Sequence, residues 1–200
     1  HLLVQSGQLT LASGDDGIHA DGSLTVSGGT LEITQSYEGL EGAQISITGG
    51  ETRICASDDG FNAANGQSTD RMGRGPMGQM ASGNDDIWLH ISGGLVVVDA
   101  QGDGLDSNGS IVMSDGLVLV YGPTSGGNGA LDYESVMNVD GGILIAAGSM
   151  GMAEPPSNTS KQCALAYGWS SAQGAGTLVS MADEDGNILI EGAIRRGVGE

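Results

Sequence analysis

Acidic side chains recur beside glycine at nearly regular intervals along this chain. The first series, with steps of 22, 21 and 44 residues, comprises Asp16, Glu38, Asp59 and Asp103. A second polar series lies three positions later and comprises His19, Glu41, Asn62 and Asp106. Calcium prefers six to eight carboxylate, amide or backbone carbonyl oxygens, so the two series indicate chemistry with cations.

The residues between the acids must form the elements that position them. Apolar residues alternate with polar ones on both sides of Gly-Gly pairs, as at Leu24, Val26, Gly28-Gly29, Leu31 and Ile33. Such alternation indicates strands with one buried face, here two short strands in each unit. Repeating units that each have one buried face bury it by stacking. The sequence therefore predicts an all-β fold, a right-handed parallel β-helix with coils of about 22 residues. A β-sandwich is the alternative, but its strands need not repeat their turn residues in register.

Stacking would bring equivalent residues of successive coils to about 4.8 Å from one another. Ile18, Leu40, Phe61 and Leu105 should then form a column in the core. Oxygens from adjacent coils could meet one ion, and the candidate calcium ligands are Asp15, Asp16, Glu38, Glu41, Asp58, Asp59, Asn62, Asp103 and Asp106. Asn128 would continue the first series in degenerate form. The alternative is that Asp-Gly serves only as a common turn dipeptide.

Composition limits the classes of partner. The net charge is −19, from 25 acidic against 6 basic residues, which excludes ordinary binding to a nucleic acid backbone. No apolar run is long enough to span a membrane, and no signal peptide is visible, so we expect a domain whose leader has been removed. Cys55 and Cys163 could pair or stay free.

We expect a single domain over residues 1–200 with two segments outside the coils. A Gly/Met-rich loop is predicted at 67–84. An irregular cap with a hairpin is predicted at 149–200, where it would cover the last coil and its open strand edges.

Several motifs resemble a known bacterial family. SGDDGIHADG, SYEGLEG, ASDDGFNAANG, SGGTLEIT and TGGETRI, which fall within residues 3–150, are similar to those of secreted carbohydrate-binding proteins. That family has a calcium-binding, pectate-lyase-like right-handed β-helix that recognises acidic sugars such as polygalacturonate. The resemblance implies calcium at Asp15, Asp16, Glu38, Glu41, Asp58 and Asp59, whereas Asp103 and Asp106 match only a shorter DGLD pattern.

Three functions are compatible with these features. The first is a secreted or cell-surface, non-catalytic module that uses calcium to bind an acidic polysaccharide of a plant cell wall or bacterial surface. Tyr37, Arg53 and Trp88 are its candidate sugar contacts. The second is a calcium-dependent polysaccharide lyase with Arg53 as its base. The third is a structural or adhesion repeat that calcium makes rigid.

Overall fold

A computed structural model describes residues 1–65 and 86–195 of the chain. The predicted loop at 67–84 lies outside the described residues, as does the end of the predicted cap. The described residues form these strands: β1 (Leu2–Val4), β2 (Gln8–Ala12), β3 (Ile18–Val26), β4 (Thr30–Gln35), β5 (Leu40–Ile47), β6 (Glu51–Ala56), β7 (Phe61–Ala63), β8 (Trp88–Ala100), β9 (Leu105–Ser107), β10 (Ser110–Tyr121), β11 (Leu131–Tyr133), β12 (Met137–Val139), β13 (Ile143–Ala147), β14 (Leu178–Ala182) and β15 (Ile188–Ala193).

Strands β1 to β13 stack as parallel ladders on three faces of a solenoid of about six turns. The first face follows each Gly-Gly turn and contains β2, β4, β6, 95–100, 117–121 and β13. The second face follows each acidic turn and contains 18–20, 40–42, β7, β9 and β11. The third face contains β1, 24–26, 44–47, 88–91, 110–113 and β12.

This architecture confirms the predicted parallel β-solenoid, with stacked coils about 22 residues apart. The prediction of two strands in each unit is wrong, because the chain forms a third ladder directly after the acid-Gly pair. Each of its members, such as β7 (Phe61–Ala63) and β9 (Leu105–Ser107), has only three residues. Three residues are too few to show an alternating pattern in the sequence, although Leu105 and Ser107 are both buried.

The two kinds of glycine turn have different physical causes. The second glycine of the Gly-Gly pairs has positive φ, 82° at Gly29 and 83° at Gly50, where a side chain would be strained. Gly39, which follows Glu38, needs to be glycine because a Cβ there would overlap the carbonyl of Gly60 in the next coil. The acidic turns therefore stack backbone against backbone, and they hold their side chains outside the core.

The predicted core column is present. Leu40, Phe61 and Leu105 are at most 1% exposed, and Ile18 and Leu131 extend the column at its two ends. Most of the remaining core is aliphatic and comes from the alternating positions of the first and third faces.

The segment after β13 covers part of the last coil. Ser157 and Gln162 donate backbone hydrogen bonds to the carbonyls of Met137 and Val139, so the edge of β12 is partnered. Strands β14 and β15 form an antiparallel hairpin further along.

Cys55 and Cys163 are both free and exposed. None of the described segments forms a helix with the length and hydropathy that crossing a bilayer demands.

Candidate cation site

The turn between the first and second faces aligns the first acidic series. The amide of Gly17 donates to the carbonyl of Glu38 at 2.8 Å, and the amide of Gly39 donates to that of Asp59 at 2.8 Å. Gly60 donates in the same way to Asp103 at 2.9 Å. These bonds place the four acidic residues one above another along the solenoid.

The second series lies on the second face, directly beside the first. His19 pairs with Glu41, Glu41 with Asn62, and Asn62 with Asp106. Their side chains point outward, because the flanking residues of each three-residue strand are directed into the core. The two series therefore form one acidic line along the outside of the solenoid.

Several acidic groups also bind neighbouring coils directly. Asp59 Oδ1 accepts the backbone amide of Asp103 at 2.6 Å, and Asp103 Oδ1 accepts that of Gly129 at 2.6 Å. Asn62 Nδ2 donates to Oε2 of Glu38 at 2.9 Å. The other amide atom, Asn62 Oδ1, is buried and has no hydrogen-bond partner within the described part of the chain. A buried amide oxygen among carboxylates is a suitable ligand for a hard cation.

Burial and mutual repulsion make these carboxylates hard to ionise. Burial raises the pKa of Glu38 to about 7, and Glu41, Asp16 and Asp58 add to the shift. Burial likewise raises the pKa of Asp59 to about 7, with further contributions from Asp58 and Asp103. Burial raises the pKa of Asp106 to about 8, and the charges of Asp59 and Asp132 make the next largest contributions. A divalent cation bound between these carboxylates would offset both burial and repulsion and so favour their ionised forms.

Asp58 and Asp59 converge on the neighbouring coil. A Cβ placed on Gly102 would overlap Oδ1 of both carboxylates, so the two oxygens lie against the same point of the backbone. Tyr37 stacks between Asp15 and Asp58 through backbone hydrogen bonds. Its side-chain hydrogen bond to Asp58 raises the pKa of the tyrosine, whose side chain is exposed.

At the N-terminal end the line contains an imidazole. His19 Nδ1 is hydrogen-bonded to Oε2 of Glu41 and lies 3.7 Å from Oδ2 of Asp16. Its other nitrogen, Nε2, lies 3.2 Å from Oδ1 of Asp21. One ligand atom from each of Asp16, His19 and Glu41 can be chosen so that all lie within 4.8 Å of one another.

The structure corrects the register of the fifth acidic turn. Gly104 donates to the carbonyl of Gly129, and Leu105 pairs with Leu131, so Gly129 rather than Asn128 continues the first series. The step from Asp103 to Gly129 differs from the 22 and 21 residues of the first two steps, so their spacing did not fix the equivalent position in the sequence.

Two acidic residues were missed from the sequence. Asp132 pairs with Asp106 on the second face, and Glu154 lies close enough that the charge of Asp132 helps burial to raise its pKa. Leu131-Asp132 repeats the apolar-acid step of Leu105-Asp106, which was the available signal. The absence of an acid-Gly pair before it concealed that signal.

The three predicted sugar contacts lie in different parts of the coil. Tyr37 is in the acidic turn, Arg53 is on the first face and Trp88 is on the third. Arg53 donates from Nε to Glu51 at 2.5 Å and, with Arg195, lines a cleft of about 330 Å³. Trp88 is stacked on His90, with ring centroids 4.0 Å apart.

Comparisons with known proteins do not assign the chain to a group. No family model, curated protein or solved structure matches it.

Proposed function

We propose that this chain is an extracellular, non-catalytic module that binds an acidic polysaccharide through calcium ions held between its coils. The observation that carries the proposal is the grouping of Glu38, Asp59 and Asp106 beside Asn62, whose buried amide oxygen has no hydrogen-bond partner among the described residues. Ionised carboxylates held together in a buried group are unfavourable unless a cation neutralises them.

The donor set favours calcium over magnesium. Glu38, Asp58, Asp59, Asn62, Asp103 and Asp106 supply only oxygens, from three successive coils. Calcium accepts many oxygens in irregular arrangements, whereas magnesium demands a near-octahedral set and retains its waters. Asp15, Asp16 and Glu41 continue the acidic line toward its N-terminal end.

A calcium bridge would explain how so acidic a protein could bind an acidic polymer. The chain carries a net charge of −19, so a polyuronate would be repelled from it without a cation. A bound divalent ion reverses the local field and can take a sugar carboxylate as a further ligand. Tyr37, which is 50% exposed beside Asp58, offers a ring for a sugar face. The motif resemblance to secreted proteins that bind polygalacturonate supports the same ligand class.

The lyase alternative has weaker support from its candidate base. The guanidinium of Arg53 is engaged by Glu51, and guanidinium groups remain protonated in proteins. A protonated group beside a carboxylate orients an anion more readily than it removes a proton. Arg53 and the cleft that it shares with Arg195 are therefore better suited to contacting a uronate carboxylate.

Calcium should stabilise the folded protein, because an ion that binds only the folded state raises stability by mass action. At about 100 times the dissociation constant the gain is about 2.7 kcal/mol, which for a chain of this size corresponds to a rise in Tm of roughly 5–10 °C. Thermal melts after chelator treatment, in millimolar calcium and in millimolar magnesium, measure it. Equal Tm values in all three conditions would contradict the proposal.

Binding to insoluble polygalacturonate should follow the same ions. The protein should sediment with the polymer in calcium and fail to do so in chelator. Asp59→Asn should weaken this binding, because it removes a charge while keeping an acceptor for the amide of Asp103. Glu184→Gln, an equal charge change in the exposed turn between β14 and β15, is the control and should bind like the parent. Calcium-dependent melting without any sedimentation would favour the structural repeat instead.

A further inference from the structure

The N-terminal end of the acidic line differs chemically from the rest of it. On the second face, His19 occupies the position that Asn62 and Asp106 occupy in later coils. Its Nδ1 atom is directed at two carboxylates, that of Glu41 from the next coil and that of Asp16 from the preceding turn. Both carboxylates are less than 20% exposed, whereas the imidazole is 47% exposed. The group thus has two sheltered oxygen donors and an accessible nitrogen donor.

The far side of the imidazole has a partner as well. Asp21 lies on the same strand, β3, and its Oδ1 is 3.2 Å from Nε2 of His19. When Nε2 donates its proton to Asp21, a metal ion can replace the proton that Nδ1 shares with Glu41, and the Nδ1 lone pair is then directed at that ion. Histidines that bind metals commonly donate their other ring N–H to a carboxylate in this way, which fixes the tautomer and makes the ligand more basic.

This mixed donor set discriminates between kinds of cation. Calcium takes oxygen ligands and gains little from an imidazole. Zinc takes imidazole nitrogen together with carboxylate oxygens, at about 2.0 to 2.2 Å. Further along the line, the group around Asn62 contains only oxygens, which is the set that zinc disfavours relative to calcium.

We propose that Asp16, His19 and Glu41 bind a zinc-type transition-metal ion, with Asp21 orienting the imidazole, at a site separate from the calcium group. Three protein ligands leave a fourth position of a tetrahedral ion open to water or to an oxygen of a bound ligand. The inference stands without the proposed polysaccharide function, since it rests on the contacts of His19 alone. It removes Asp16 and Glu41 from the predicted calcium ligands.

Metal titration of the intact chain tests the proposal. After chelator treatment, zinc binding is measured by calorimetry, and cobalt binding by visible absorption, which reports the coordination of the ion. His19→Gln should lose one equivalent of tight zinc binding and the cobalt spectrum. Asp21→Asn, a change at a fully exposed side chain that leaves all three ligands in place, should weaken zinc binding by no more than about tenfold.

Two matched variants and one parallel measurement complete the test. His90→Gln removes the histidine stacked on Trp88, and Cys55→Ser removes an exposed thiol; each should retain the zinc equivalent that His19→Gln loses. The rise in Tm with calcium should persist in His19→Gln, which separates this site from the calcium proposal. Undiminished zinc affinity in His19→Gln, or a joint loss of the zinc equivalent and the calcium effect, would overturn the inference.

Discussion

Individual carboxylates of the acidic line also accept hydrogen bonds from backbone amides. Asp59 and Asp103 each accept an amide of the following coil through Oδ1, so both contribute to coil stacking. A carboxylate has two oxygens with several lone pairs, and the remaining sites stay available to a cation. The acidic residues therefore cannot be divided into structural and ion-binding classes, and a substitution that preserves the acceptor is the cleaner probe of charge.

Asp106→Asn should affect stability in opposite directions with and without calcium. Asp106 has the highest raised pKa of the group, about 8, because burial and the charges of Asp59 and Asp132 disfavour its ionised form. Near pH 8 the neutral amide of the variant removes that repulsion, so the metal-free variant should melt a few degrees higher than the parent. The corresponding gain in the free energy of unfolding is on the order of 1 kcal/mol. In saturating calcium the variant should melt lower than the parent, because it has lost a charged ligand. Paired thermal melts measure both effects.

Glu184→Gln is the control for that pair of melts. It makes the same change of charge at an exposed turn, so neither Tm should move by more than the scatter of surface substitutions. A metal-free Asp106→Asn protein that melts below the parent would contradict the account of Asp106 as a repelled carboxylate.

At the scale of the strand and turn, the backbone of one coil fixes the carboxylates of its neighbour. Gly102 lies against Oδ1 of both Asp58 and Asp59, and it has no positive φ that would forbid a side chain. Gly102→Ala should therefore act by displacing the two carboxylates together with the backbone of Asp58, whose carbonyl carbon would lie 2.8 Å from the new Cβ, at a cost of about 1–3 kcal/mol for overpacking. We expect a lower Tm and a reduced calcium shift in thermal melts.

Gly22→Ala is the matched control, because Gly22 also lacks positive φ and a Cβ there would meet no atom within 4 Å. It should leave the Tm and the calcium shift close to those of the parent. If Gly102→Ala keeps the full calcium shift, Asp58 and Asp59 do not hold the ion.

The same elements show which features sequence reasoning could reach. The Gly-Gly turns and the core column at Leu40 and Phe61 were predictable, because the residues that form them repeat along the sequence at nearly constant spacing. The second face was not, because three residues carry too little pattern. Asp132 was missed because its coil keeps the ladder contact but lacks the acid-Gly pair. The contact between Asp21 and His19 depends on side-chain conformation, which spacing does not specify.

At the scale of the whole molecule, the acidic line concentrates an already large negative charge. Burial is the leading cause of the raised pKa of Glu38, Asp59 and Asp106, and in each case neighbouring carboxylates add to it. Glu154, beyond the last ladder pair, shows the same direction and cause. The metal-free solenoid is thus a stack of coils whose shared acidic edge opposes stacking more strongly as it ionises.

Metal-free stability should therefore fall as the pH rises from about 5 to about 8. Between the ordinary carboxyl pKa near 4 and the raised values of about 7 to 8 for Glu38, Asp59 and Asp106, the folded state holds more protons than the unfolded chain, so stability decreases with pH. His19, whose pKa Glu41 and Asp21 raise, acts in the same direction, because its stabilisation is lost as it deprotonates. Asp140, whose pKa Lys161 lowers, affects stability only in more acidic solution.

Calcium should reverse this trend, because the ion replaces the protons on the ligands and binds more tightly as they ionise. We expect the rise in Tm on adding calcium to be small near pH 5 and largest near pH 8. Melts across this range, with and without the ion, measure both slopes, and Asp106→Asn should flatten the metal-free one. A metal-free Tm that is constant or rises over the same range would mean that these carboxylates are already ionised and separately solvated, which is incompatible with a shared cation site.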